Sequence, residues 1–170
     1  MIARPEDREV FAHFRGYVTE ANGDDLLVSL HDALINLEHF AAEVALEREE
    51  YRYSEGKWSV KEVFQHLNDT ERILAYRALR FARKDPTELS GFEENAYVAT
   101  ADTGRRGLAD LVSEHRIIRQ GTIALFSSFS PEMLLLTGMA NGKEISVRAL
   151  GWSIAGHAMH HLTIFQERYR

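Results

Sequence analysis

Four stretches of this chain repeat apolar residues every three or four positions, and that spacing leaves few folds open to it. In the first, Leu26, Leu30, Ala33, Leu34, Leu37, Ala41 and Val44 form a stripe that starts near Asp24 or Asp25 and ends at the charged run EREEYRY. The second opens at GKWSVKEVFQHL, where Ser59 and Glu62 have capping-box spacing and Trp58 is placed to staple onto Val63. Its stripe is Val60, Val63, Phe64, Leu67, Leu74, Ala75, Ala78 and Ala82, and Pro86 sets its limit. The third carries Leu108, Leu111, Val112, Ile118, Thr122, Leu125 and Phe126 and stops before Pro131. The fourth begins near Ser146 and runs to the end, with Val147, Leu150, Ile154, Ala158, Leu162 and Phe165 inward. An amphipathic helix must bury its apolar face, and four of them satisfy one another as a bundle.

Between the second and third stripes the pattern is lost, in DPTELSGFEENAYVATADTG. A connection that long in a compact domain tends to be functional, and a bundle needs one wherever two neighbouring helices run parallel. Before the fourth helix, Asn141-Gly142 separates two short apolar stretches, a two-residue hairpin signal. The expected fold is therefore all-α: a four-helix bundle with a long crossover loop between helices two and three and a small β-hairpin before helix four. The 170 residues are expected to form one domain, residues 1–23 being an N-terminal extension that packs on the bundle. At this length one core suffices for folding, so a bound metal would serve function.

A net charge of −6, with both signs interspersed, argues against a broad nucleic-acid-binding face. The small basic cluster of Arg77, Arg80, Arg83 and Lys84 reads as the solvated side of a helix. The absence of cysteine removes thiolate ligands, a catalytic thiol and disulfides together. The charged start MIARPEDREV lacks the apolar region of a cleaved signal, and no apolar run approaches the ~18 residues of a membrane span. A cytoplasmic protein without nucleic-acid or membrane partners is expected.

The chain ends on GHAMHHLTIFQERYR. His157 and His161 lie one helical turn apart, so their imidazoles can converge on one ion, whereas His160 falls about 100° away and towards solvent. The position after the first histidine is Ala158, not the glutamate of a metalloprotease helix. Catalytic sites usually take three protein ligands, so a third must come from another helix. His31 and His39 fall on the solvated side of the first helix, and His13 precedes the bundle. His66 lies on a shoulder of the second stripe and His115 squarely on the third. The helical wheel leaves both open, with His115 as the more buried.

Two segments, YSEGKWSVKEVFQHLNDTERILAYRALRFARKD and GKEISVRALGWSIAGHAMHHLTIFQERY, resemble the DinB/YfiT-like superfamily of bacterial metal-binding four-helix bundles. The resemblance runs from about residue 25 to the end. It implies a triad with one histidine from the H-L-x-D-T-E segment and two from the terminal H-x-x-x-H, which here are His66, His157 and His161. It also implies a divalent ion, zinc or nickel, and in some members a low-molecular-weight thiol. Some members are similar to thiol S-transferases and others to metal-dependent hydrolases.

Three neutral ligands leave an ion its full charge, so it can lower the pKa of a bound water towards about 7 or deprotonate a thiol. Glu71 and Arg119 both face inward, and charged groups are seldom buried unpaired. An ion pair between them is the first expectation, and Glu71 as a general base or as a partner of a ligand histidine is the second. Asp69 is expected in solvent. Glu93, Glu94, Asn95 and Tyr97 are candidate walls of a pocket under the 85–104 loop, and Trp58 and Trp152 are packing residues. The function expected is that of a metal-dependent enzyme acting on a small molecule by thiol transfer or hydrolysis. The alternative is a non-enzymatic metal-binding or stress-associated bundle. A homodimer is expected from the apolar-aromatic ends of helices one and three.

Overall fold

A computed structural model describes residues 1–169. The elements are α1 (Ala12–Glu20), α2 (Leu26–Glu43), α3 (Val60–Ala82), α4 (Glu94–Thr100), α5 (Leu108–Ser127), α6 (Pro131–Leu134), β1 (Thr137–Ala140), β2 (Lys143–Ser146) and α7 (Val147–Arg168). The four expected helices are α2, α3, α5 and α7, and they start where local chemistry starts them. The Asp25 carboxylate accepts from the Leu27 amide at 3.2 Å, and the Ser146 hydroxyl from the Ala149 amide at 3.1 Å. At α3 the capping box closes both ways, Ser59 Oγ accepting from the Glu62 amide at 3.3 Å and the Glu62 carboxylate from the Ser59 amide at 2.7 Å. Trp58 packs into the apolar cluster that contains Val63.

The hairpin pairs Thr137 with Ser146 and Ala140 with Lys143. Its two turn residues have positive φ, 52° at Asn141 and 67° at Gly142, as a type I′ turn requires. The same hairpin anchors the crossover, because the Leu89 amide donates to the Met139 carbonyl and the Asn141 amide to the Leu89 carbonyl, each at 2.9 Å.

The core divides into two apolar clusters, and the division reports the direction of each helix. Leu26 and Leu30 of α2 lie in one cluster and Leu37 in the other, and α7 passes the same way, from Val147 to Phe165. Helices α3 and α5 pass the opposite way, from Val60 and Leu108 to Phe81 and Phe126. Thus α3 and α5, packed side by side, run parallel, and only a long crossover can join them. At the seam between the clusters sit polar groups: Glu71 on α3, His115 and Arg119 on α5, and His157 on α7.

Two expectations need correction. Residues 85–104 are not without structure, since α4 forms within them, capped by Glu93 and buried through Val98. It was hidden because seven residues are too short to show a period. The basic cluster is not one solvated face. Arg83 and Lys84 are exposed, but Arg77 is only 5% exposed.

The N-terminal segment lies on α7 through α1. It is tied down by Glu9, which accepts from Ser146 Oγ and Arg148 Nε, each at 2.8 Å, and also from Arg148 Nη2. Burial raises the Glu9 pKa, but Arg148, the Glu6 amide and Ser146 together outweigh it and hold the group at about 2, below its ordinary 4.5. A depressed carboxyl pKa stabilises the fold above the unfolded value and loses that contribution as pH falls through the folded one. The stability difference between the parent and Glu9→Gln is therefore expected to be constant above about pH 4.5 and to shrink towards pH 2. Thermal unfolding of both across that range measures it, and a gap that does not change with pH contradicts it.

Candidate metal centre

Helix α3 presents His66 to the α7 pair His157 and His161, and all three are buried, at 4%, 5% and 8% exposure. His66 Nε2 lies 2.9 Å from His157 Nε2, which lies 3.1 Å from His161 Nε2. One nitrogen from each ring lies within 4.8 Å of the other two. With bonds of about 2.0–2.1 Å to one ion, donor nitrogens stand ~3.0 Å apart at right angles and ~3.4 Å apart at tetrahedral angles. The spacings of His157 from His66 and His161, 2.9 and 3.1 Å, fit the right-angle end of that range.

Electrostatics agrees with geometry. Burial pushes the His66 pKa down to about 4. Burial, reinforced by neighbouring histidines, holds His157 and His161 well below 6.5. All three rings are therefore neutral at pH 7 and offer lone pairs. A neutral imidazole carries one N–H, and His157 Nε2 cannot be paired well with two neighbouring Nε2 atoms at once. A cation among them removes the conflict. The ring positions are supported from outside: Trp58 lies 4.7 Å from His66, Tyr17 meets His157 edge-on at 5.1 Å, and Thr70 Oγ1 is 3.4 Å from His66 Nδ1.

The other histidines separate from this group. His160 is half-exposed, with Nδ1 3.0 Å from a Glu20 oxygen. His31 and His39 are exposed. His115, the rival on the wheel, is buried but faces Asn68, with Nδ1 2.9 Å from Oδ1. Burial lowers its pKa to about 4.

Glu71 is paired on both oxygens. Arg119 Nε donates to Oε1 at 2.8 Å and Nη2 to Oε2 at 2.8 Å, while Nη1 donates to the Leu30 carbonyl at 2.7 Å. Burial raises the Glu71 carboxyl pKa, but the charge and hydrogen bonds of Arg119, with His115 and Thr122, together outweigh it and keep the group ionised. Asp69 is half-buried and accepts from Gln65 Nε2 at 3.0 Å.

A cleft of about 610 Å³ opens onto His66 and His157. Its walls come from α1, the 85–104 connection and the hairpin, through residues such as Phe14, Tyr17, Phe92 and Asn141. Of the expected loop residues, Glu93 and Glu94 line it. Asn95 instead donates to the Glu93 carboxylate at 2.9 Å, and Tyr97 packs on Phe92. His13, which the sequence could not place, also faces the cleft.

Tyr17 and Arg77 are lining residues that sequence reasoning missed. Arg77 had a usable signal. It follows His66 by eleven positions, within about 20° of three whole turns and so on the same face. Tyr17 had none, because α1 has a single buried residue, Phe14.

No helix among the described residues is long and apolar enough to cross a membrane. The sequence matches the family model described as the DinB superfamily over residues 18–165. No curated protein matches it. Among solved structures it is similar to YfiT from Bacillus subtilis, described as a probable metal-dependent hydrolase with an unusual four-helix bundle topology. The TM-score is 0.76 at 12% identity, covering 97% of this chain and 91% of that one. It is also similar to the DinB-like protein YjoA of Bacillus subtilis, with a TM-score of 0.60 at 16% identity, covering 84% and 89%.

Proposed function

The chain belongs to the DinB superfamily, and from that premise we propose that it is a metal-dependent enzyme acting on a small molecule by hydrolysis or thiol transfer. Its ligands are His66, His157 and His161, and its ion is zinc or nickel. One observation carries this reading: three buried neutral imidazoles converge through Nε2, and two of them, His66 and His157, line a cleft large enough for a small molecule.

A divalent ion held by three neutral imidazoles keeps its charge and lowers the pKa of a water or thiol that binds it. The protein's own residues do the rest. Trp58 and Tyr17 fix the planes of His66 and His157 by packing, and Thr70 faces the far nitrogen of His66. Burial, then Glu94 and Glu20, raise the Tyr17 pKa above 10, so its phenol stays protonated as a donor in the cleft. Phe14 and Phe92 exclude water from one side of a bound molecule. Glu71, engaged by Arg119, orders the bundle beside the site.

The test is metal content by mass spectrometry on protein made without a polyhistidine tag. Near-stoichiometric metal is expected in the parent and in His160→Ala, and at least a tenfold loss in His66→Ala, His157→Ala and His161→Ala, since a lost ligand typically costs more than the 10–100-fold of an outer partner. Equal retention in all four variants, or a parent that takes up neither Zn²⁺ nor Ni²⁺, overturns the assignment. A metal-loaded parent that turns over no ester, amide or thiol acceptor in a screen assigns the site to metal binding without catalysis.

A further inference from the structure

Arg77 is a buried cation without a carboxylate. It is 5% exposed, and no ion pair to it is found among the described residues. Its Nη2 donates to the Ser90 carbonyl at 2.8 Å, while its Nε is buried with no hydrogen-bond partner. A guanidinium has five N–H donors, and leaving them unpaired away from water is costly. The other buried arginine, Arg119, shows how this chain treats such a group when structure alone is served: a carboxylate and a carbonyl take its donors. Arg77 instead lines the cleft that reaches His66 and His157.

The surroundings point to one kind of occupant. Arg77 and His66 share a face of α3, about 16 Å apart along the axis at 1.5 Å per residue, and both line the same cleft space, the N-terminal tilt of helical side chains leaning Arg77 towards His66. Apolar rings, those of Phe11, Phe14 and Phe92, flank that space. Two carboxylates also border it. Glu93 is occupied in capping α4, accepting from the Asn95 and Ala96 amides at 3.2 and 2.7 Å, and Glu94 is exposed. Lys143, exposed, adds a second positive charge at the border. The buried charge is thus positive and the acidic groups are either engaged or in solvent.

We propose that Arg77 is the specificity-determining residue of this cleft, binding the oxyanion of a small amphiphilic substrate whose apolar body lies against the phenylalanines and whose reactive end faces the histidines. This rests on the functional reading above for the reactive end only, because the charge recognition does not require a metal. Burial disfavours the charged form of Arg77, and an incoming carboxylate or phosphate relieves that cost.

The probes are 4-phenylbutyrate, its uncharged amide 4-phenylbutanamide, and phenyl phosphate, titrated by calorimetry into the full chain. The parent is expected to bind 4-phenylbutyrate at least about tenfold more tightly than the amide, the scale of a charge-assisted hydrogen bond. Arg77→Gln and Arg77→Met are expected to bind acid and amide alike, Arg77→Lys to recover part of the preference, and Lys143→Gln to keep it. Comparison with phenyl phosphate decides whether the preferred oxyanion is a carboxylate or a phosphate. Metal content is measured on the same samples. His66→Ala is expected to lose metal yet keep the acid-over-amide preference, which separates failure of this proposal from failure of the metal assignment. A merely structural Arg77 would lower melting temperature without changing that preference. The proposal is overturned if the parent binds neither probe or binds both equally, or if folded Arg77→Gln and Arg77→Met keep the parent's preference undiminished.

Discussion

Arg119→Met is expected to lower the free energy of unfolding by about 3–5 kcal/mol, because it leaves a buried carboxylate without its counter-charge. Glu71 and Arg119 are 3% and 0% exposed, so water cannot replace either partner. The substitution removes a two-pronged pair and also the donor to the Leu30 carbonyl. Removing one partner is the costly change, whereas replacing both by apolar groups of similar volume is often neutral. The double variant Glu71→Met/Arg119→Met is therefore expected to recover most of the loss. Urea unfolding measures both, with a fall in midpoint at unchanged slope marking a stability effect. A single variant within about 1 kcal/mol of the parent would show that the pair is dispensable. The double variant also tests the role of Glu71. If it folds, holds metal and keeps turnover, Glu71 is a structural residue. If it folds and holds metal but turnover fails, Glu71 belongs to the chemistry as the general base of the second expectation.

Gly156→Ala is expected to detach α1 from the bundle. A β-carbon at Gly156 would stand 1.6 Å from the Tyr17 carbonyl oxygen and 2.4 Å from its carbon. Both are backbone atoms in the last turn of α1, where the same carbonyl accepts from the Ala21 amide at 3.1 Å, so no side chain can rotate away. Overpacking of this kind typically costs 1–3 kcal/mol, and the larger figure applies where backbone must move. The consequence reaches the site, because Tyr17 covers His157 edge-on and also meets His160 at 5.4 Å. Limited proteolysis is expected to cut within residues 12–20 faster in Gly156→Ala than in the parent, and melting temperature to fall. Gly16→Ala, where a β-carbon meets nothing within 4 Å, serves as the control. Equal cleavage rates in parent and Gly156→Ala would show that α1 does not rest on α7 as described.

Local chemistry made much of the fold legible. The periods of α2, α3, α5 and α7, the capping box of Ser59 and Glu62, and the Asn141-Gly142 turn each depend on residues within a few positions of one another. Each therefore survived the move from sequence to structure unchanged. The pairing of His157 with His161 is of the same kind, since one helical turn brings them together wherever the helix lies. The Glu71–Arg119 pair was legible for a different reason: two inward charges of opposite sign in one core have little choice but each other.

What tertiary structure decided is everything that depends on how one helix is turned against another. A wheel places His66 and His115 relative to their own axes, but only the packing of α3 and α5 against α7 sends His66 to the histidine pair and His115 to Asn68. The resemblance pointed to His66, and the packing of α3 on α7 brings that ring beside His157. Arg77 looked like one more surface arginine until the crossover and the hairpin, stitched together at Leu89, closed over it. α4 and α1 are too short to announce themselves by period, and each is held by contacts made far along the chain. Periodicity and capping are properties of a segment, so sequence alone determined the helices, their starts and the pairing of His157 with His161. Burial, charge neutralisation and the shape of the cleft are properties of surfaces meeting, so the approach of His66 to the histidine pair, the covering of His157 and the isolation of Arg77 were decided only when the helices packed.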